Sequence, residues 1–172
     1  MRKIIMRTAI VVGSARENGN TAQLSQALTS KIPATLFNLC DYKISPFDYE
    51  FNHTNDDFLK LMKELIGFDR IILASPVYWY SASGVMKTFL DRFSDLLKVN
   101  KDLGRKLKGK PVALIATGCD KVSAPCFEEA FRLSFAYLGM TYQGMLYCCV
   151  EDEIEISHYQ DHITQFIRDN LC

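Results

Sequence analysis

The chain has 172 residues, 48% of them hydrophobic and 23% charged, and its 20 Lys and Arg residues balance 20 Asp and Glu residues. This is the size and mix of one globular domain spanning residues 1–172. A neutral surface gives nucleic acid or an anionic membrane no electrostatic hold, and no run approaches the roughly 18 apolar residues of a membrane span.

In chain order, residues 1–7 read as a short tail, because Arg7 breaks the first apolar run. Thr8–Gly13, Ile71–Ser75 and Val112–Thr117 are continuously apolar, as strands covered on both faces are. Thr35–Leu39 and Gly144–Val150 are weaker strand candidates. Between the strands, Leu24, Leu28 and Ile32 predict a first helix after Gly19, where Asn20 and Gln23 resemble a capping box. Phe58, Leu61, Met62 and Leu65 predict a second helix, and Val85 to Leu97 a third. A fourth is expected near Phe127–Leu138 and a fifth over about Ser157–Leu171. Strand and helix therefore alternate five times, which implies a parallel sheet with helices on both faces.

Doubly wound sheets bind ligands beyond the carboxyl ends of their strands, so the loops there carry the functional reading. Gly13-Ser14-Ala15-Arg16-Glu17-Asn18-Gly19-Asn20-Thr21 leads straight into a helix. Glycines, hydroxyls, Arg16 and a helix N-terminus suit a phosphate. The loop is not a nucleoside-triphosphate loop, since Asn20 stands where lysine is required. Nor is it a dinucleotide fingerprint, since Ala15 fills the second glycine position. A monophosphate is the better match. Ser75-Pro76-Val77-Tyr78-Trp79-Tyr80 then offers three consecutive aromatics, suited either to a flat ring or to an interface.

Ser75-Pro76-Val77-Tyr78-Trp79 with Lys87-Thr88-Phe89-Leu90-Asp91-Arg92 resembles the NADPH-dependent FMN reductase family. Gly13-Ser14-Ala15-Arg16 with Gly19-Asn20-Thr21, Leu107-Lys108-Gly109-Lys110-Pro111, and Thr117-Gly118 follow the same pattern, over about residues 8–150. The resemblance implies an α/β flavodoxin-like doubly wound sheet of five parallel strands in the order 2-1-3-4-5. It also implies an NAD(P)H-dependent oxidoreductase holding FMN, with NADPH or NADH as donor. Two electrons would pass to a small acceptor: a quinone, an azo or nitro compound, free flavin, or a protein.

By this resemblance Ser14, Arg16, Asn20, Thr21 and the Ala22 amide hold the FMN phosphate, and Pro76, Val77, Tyr78 and Trp79 flank the ring. Thr117, Gly118 and Cys119 form a third wall, and a homodimer or homotetramer is expected. No catalytic side chain is required, because the flavin carries the redox chemistry. The alternative is a flavodoxin-type electron carrier without nicotinamide turnover; neutral charge and Arg16 speak against it.

The remaining constellations are weaker. Cys40, Cys119, Cys126, Cys148, Cys149 and Cys172 show no metal-type spacing and read as reduced thiols of a cytoplasmic protein. A single cysteine in Cys40–Phe47 predicts no iron–sulfur cluster. Cys126 and Arg132 have phosphatase spacing, but the bulky acidic residues between them exclude a phosphate loop. His158 and His162 lie one helical turn apart without the glutamate of a zinc motif, so no metal is expected.

Overall fold

The three apolar runs become the middle of a parallel sheet. In the computed structural model, which describes residues 6–53 and 55–171, the strands are β1 (Thr8–Val12), β2 (Ala34–Asn38), β3 (Arg70–Tyr78), β4 (Ser81–Ala82), β5 (Pro111–Gly118) and β6 (Thr141–Cys149). Residues 1–5 of the expected tail over residues 1–7, and the Cys172 thiol, lie outside the described residues. The spatial order is β2-β1-β3-β5-β6, with every pair on that path parallel. Only the short β4 runs antiparallel, against the end of β3. Counted over the parallel strands alone, the order is 2-1-3-4-5.

The helices are α1 (Asn20–Thr29), α2 (Phe58–Ile66), α3 (Gly84–Asp91), α4 (Phe93–Lys98), α5 (Lys101–Arg105), α6 (Pro125–Tyr137) and α7 (Gln160–Phe166). None is long and apolar enough to cross a membrane. Successive strand residues face opposite sides of the sheet, which explains the lack of alternation in the sequence. Ala9, Val11, Ile71, Leu73, Val112 and Leu114 pack into one core with Phe58, Leu61, Phe89, Phe127, Phe131 and Phe135. Ile10, Val12, Ile72, Ala74, Ala113 and Ile115 pack into the other with Leu24 and Leu28 of α1 and Ile163 and Phe166 of α7.

Three expectations need correction. The capping box at Asn20 does not form: Gly19 is the N-cap and Asn20 the first helical residue. The long third helix is two, α3 and α4, broken at Arg92. There the Arg92 N–H reaches the Thr88 carbonyl at 3.4 Å, while Asp95 N–H takes the Arg92 carbonyl only three residues back. This join lets Arg92 turn inward, where it is 1% exposed. The final helix is a 3₁₀ turn over Ile156–Tyr159, then α7, then a π turn over Ile167–Leu171.

Candidate functional site

The first loop leaves β1 at Gly13 and returns as α1. Gly13 N–H donates to the Ala74 carbonyl at 2.8 Å. A Cβ at Gly13 would stand 2.7 Å from that of Met86, so only glycine lets α3 approach this closely. Ser14 is buried, and its Oγ accepts the Arg16 N–H at 3.3 Å, folding the loop back on itself. Ala15, Arg16, Glu17 and Asn18 are exposed. Gly19 brings no side chain to cap α1. The first-turn N–H groups of Asn20, Thr21 and Ala22 have no acceptor within their own helix and add the positive end of its dipole. An uncapped N-terminus of a 10-residue helix, beside a folded loop carrying Arg16, is a donor set for an anion.

Two side chains in this loop have protein partners of their own. Asn20 Nδ2 donates to the Asp152 carbonyl at 2.9 Å, and its Oδ1 accepts the Ile154 N–H at 3.1 Å. Asn20 thus clasps the segment after β6, while Glu151, Asp152 and Glu153 stay exposed. The hydroxyls of Thr21 and Thr117 share a buried 2.7 Å hydrogen bond, which fixes the start of α1 to the end of β5.

The second loop is a two-residue hairpin. Val77 pairs with Ala82 and Tyr78 with Ser81, so Trp79 and Tyr80 form its corner. Both have positive φ, 50° and 60°, the backbone of a type I′ turn, which ordinarily selects Asn and Gly. Bulky residues there are strained. Trp79 is 93% exposed, and Tyr78 and Tyr80 are exposed beside it. Pro76, buried, stands opposite Thr117 in the register and leads the strand into this corner.

Ser83, whose role the sequence reading missed, joins the first two loops. Its Oγ donates to the Gly13 carbonyl at 2.5 Å and accepts the Met86 N–H at 3.0 Å, capping α3. Its N–H donates to Ser75 Oγ at 3.0 Å. A serine immediately before a helix was the available signal.

The third loop follows β5. Thr117 is buried, Gly118 half-buried and Cys119 exposed. A Cβ on Gly118 would meet Tyr147 Oη at 2.9 Å and Val77 Cβ at 3.3 Å, so glycine is needed for this close approach. Tyr147 donates to the Asp120 carbonyl at 2.6 Å and holds the turn. Burial, with Cys149, Asp120 and Cys119 adding to it, pushes its phenol up to about 12, so it remains a donor.

The loops carrying Ser14, Arg16, Asn20, Thr21, Ala22, Pro76, Val77, Tyr78, Trp79, Thr117, Gly118 and Cys119 all leave the carboxyl ends of β1, β3 and β5, three adjacent strands. The side chains of Asn20, Thr21 and Thr117 turn to one another or to β6's following loop, leaving main-chain amides as the donors of α1. A cavity of about 550 Å³ runs beside α1, lined by Val12, Gln26, Leu36 and Ile156 among others, and it shares Glu17, Asn18 and Ala22 with the loop over residues 13–22. Among the described residues no group of three or more His, Cys, Asp or Glu side chains is placed to hold a metal ion.

Sheet order and edge loops together define a protein of flavodoxin-like fold. A model of the NADPH-dependent FMN reductase family matches residues 6–152, and the chain belongs to that family. It is therefore an enzyme of the FMN-dependent NAD(P)H oxidoreductase class, with FMN as cofactor and NAD(P)H as electron donor. It is 30% identical over 145 residues to the FMN-dependent NADPH-azoreductase of Staphylococcus aureus, covering 78% of this chain and 72% of that protein. It is 28% identical over 149 residues to YwqN of Bacillus subtilis, named provisionally as an NAD(P)H-dependent FMN-containing oxidoreductase, over 81% of this chain and 82% of that one. Among solved structures, the Trp repressor binding protein of Bacillus subtilis superposes with a TM-score of 0.76 at 22% identity, over 94% of this chain and 96% of that one. FerB, a flavoenzyme NAD(P)H:(acceptor) oxidoreductase from Paracoccus denitrificans, gives 0.70 at 18%, over 96% and 97%. At such identities these two superpositions speak for the fold alone.

Proposed function

We propose that the loop over residues 13–22 seats the FMN phosphate, that the Pro76–Trp79 segment and Thr117–Cys119 flank the flavin ring, and that electrons from NADPH or NADH pass to a small planar acceptor of the azo or quinone class. Nitro compounds, free flavin and a protein acceptor remain within the same chemistry. The uncapped N-terminus of α1, on the same sheet edge as the aromatic hairpin, carries this reading.

When bound, FMN supplies the redox chemistry, taking a hydride from NAD(P)H and returning two electrons to the acceptor. The protein's part is binding and positioning. First-turn amides of α1 hold the phosphate, Arg16 adds a charge-assisted fork, and Ser14 shapes the loop. The Thr21–Thr117 hydrogen bond sets the separation between cradle and third wall. Tyr78 and Trp79 border the space open to nicotinamide or acceptor. An azo acceptor is favoured by the name of the Staphylococcus aureus relative.

The chain is further proposed to act in the cytoplasm, where its free thiols stay reduced, and as a homo-oligomer. Cys126, Ala130, Leu133 and Tyr137 are all exposed on α6 at spacings of four, three and four residues, opposite its buried phenylalanines. A helix apolar on two faces is one that a partner covers.

Titration of flavin fluorescence with wild type and Arg16→Ala tests the proposal. A charge-assisted bond is worth about 1.5–3 kcal/mol, so the variant is expected to bind FMN roughly 10- to 150-fold more weakly while NADPH still reduces an azo dye at saturating FMN. Equal affinities would take Arg16 out of the site.

A further inference from the structure

Five described cysteines carry free thiols, and two of them meet where β5 and β6 end. Gly118 lies opposite Cys149 in the register, and Val150 N–H donates to the Gly118 carbonyl at 2.7 Å, so the chains stay paired past the last strand residues. The Cys149 thiol turns toward the neighbouring loop and donates to the Cys119 carbonyl at 3.3 Å. Cys119 stands one residue beyond the position opposite Cys149. That hydrogen bond sets the Cys149 sulfur against the main chain of Cys119 itself, in the turn just past β5.

The other thiols differ in kind. Cys148 faces the opposite side of the sheet, 1% exposed in the second core, and burial pushes its thiol up to about 12. It is protonated and inert at neutral pH, and strand alternation turns it away from Cys149. Cys40 donates to the Ser14 carbonyl at 3.2 Å, and Cys126 sits 3.8 Å from the Tyr80 carbonyl. Cys40 lies in the 3₁₀ turn that follows β2, and Cys126 in the first turn of α6.

We propose that Cys119 and Cys149 form a thiol–disulfide exchange site for small-molecule disulfides. The exposed Cys119, as thiolate, attacks one sulfur of the disulfide; that S–S bond breaks and one half leaves as a thiol after taking up a proton. Cys149 then attacks Cys119 Sγ, the mixed disulfide breaks, and the second half leaves as a thiol. Two electrons and two protons pass from the protein pair to the small disulfide, and a dithiol reverses the exchange. The closed bridge fastens the turn at Cys119 and Asp120 to the end of β6. Nothing in this chemistry requires bound flavin.

The test treats reduced protein with oxidised glutathione, with and without FMN, and follows intact mass and a peptide map. Expected in the flavin-free arm is a Cys119–Cys149 cross-linked peptide, two hydrogens lighter, without glutathione retained at either position, and reversed by dithiothreitol. Cys149→Ser is expected to keep glutathione on Cys119, and Cys119→Ser to give no cross-link to Cys149. A wild-type protein that keeps glutathione stably on Cys119, remains unmodified at both positions, or joins either cysteine to a different partner overturns the proposal. Slower cross-linking in the FMN arm alone would bear on where the flavin sits, and leaves the exchange site standing.

Discussion

Arg92 is 1% exposed, a burial that a guanidinium tolerates only when its donors are met. It donates to Asp95 at 2.8 and 3.1 Å, to the Ser45 carbonyl at 3.1 Å, to the His53 carbonyl at 3.2 Å and to Asp56, and it lies 4.8 Å from the centre of the Phe58 ring. Two carboxylates and two carbonyls thus fasten the irregular segment before α2 to the break between α3 and α4. Burial pushes the Asp56 carboxyl up, but hydrogen bonds from Arg92 and from the Ser45 and Phe58 amides outweigh it and hold it below the usual carboxylate range. A carboxyl depressed in the folded state stabilises fully above its unfolded value, about 3.9, and that stabilisation is lost as pH falls through the lower folded value. Urea midpoints of wild type should therefore drop as pH falls below about 4. Asp56→Asn should be less stable at neutral pH and show a shallower acid limb. Parallel curves for the two proteins would contradict this account of the cluster.

At the scale of elements, the hairpin closing β3 holds its corner residues against their backbone preference. Positive φ at a bulky residue costs on the order of 1–3 kcal/mol, and Trp79 gains little packing in return, being 93% exposed. Such strain is kept where a side chain is needed in one place. Replacing the corner with the residues the turn selects, Trp79→Asn with Tyr80→Gly, is expected to raise stability by about 1 kcal/mol. It should also weaken reduction of a planar acceptor, read as a higher KM. A double variant that is less stable, or one whose kinetics match wild type, would show that the corner is neither strained nor used. The α1 terminus is the counterpart at the other loop: glycine at its cap leaves the amides open, and the clasp of Asn20 on Asp152 and Ile154 steadies the helix from outside.

At the scale of the whole molecule, the exposed stripe of α6 gives the proposed homo-oligomer a testable form. Leu133→Lys with Tyr137→Lys should shift light-scattering mass to that of a monomer while leaving the far-UV spectrum unchanged; an unchanged mass would place the interface elsewhere. The sheet itself was legible in the sequence, because strands buried on both faces must be continuously apolar, and β1, β3 and β5 are. The turn from β1 into the N-terminus of α1 was legible from Gly13, Gly19 and the helix that follows. Features that depend on contacts between distant residues were not: the Thr21–Thr117 bond spans 96 positions, and the buried Arg92–Asp56 pair spans 36. Asn20 was read as a phosphate ligand because its partners, the main chain at Asp152 and Ile154, are backbone groups that leave no mark in composition. β4 escaped notice because no turn signal accompanies Trp79 and Tyr80; the geometry there is imposed against local preference.

The cradle between residues 13 and 22 is the claim on which the functional account rests, and comparing FMN with riboflavin tests it most directly, since the two differ only in the phosphate. Several charge-assisted hydrogen bonds to that phosphate, at about 1.5–3 kcal/mol each, predict that FMN binds at least about 100-fold more tightly than riboflavin. Equal dissociation constants for the two flavins would contradict it.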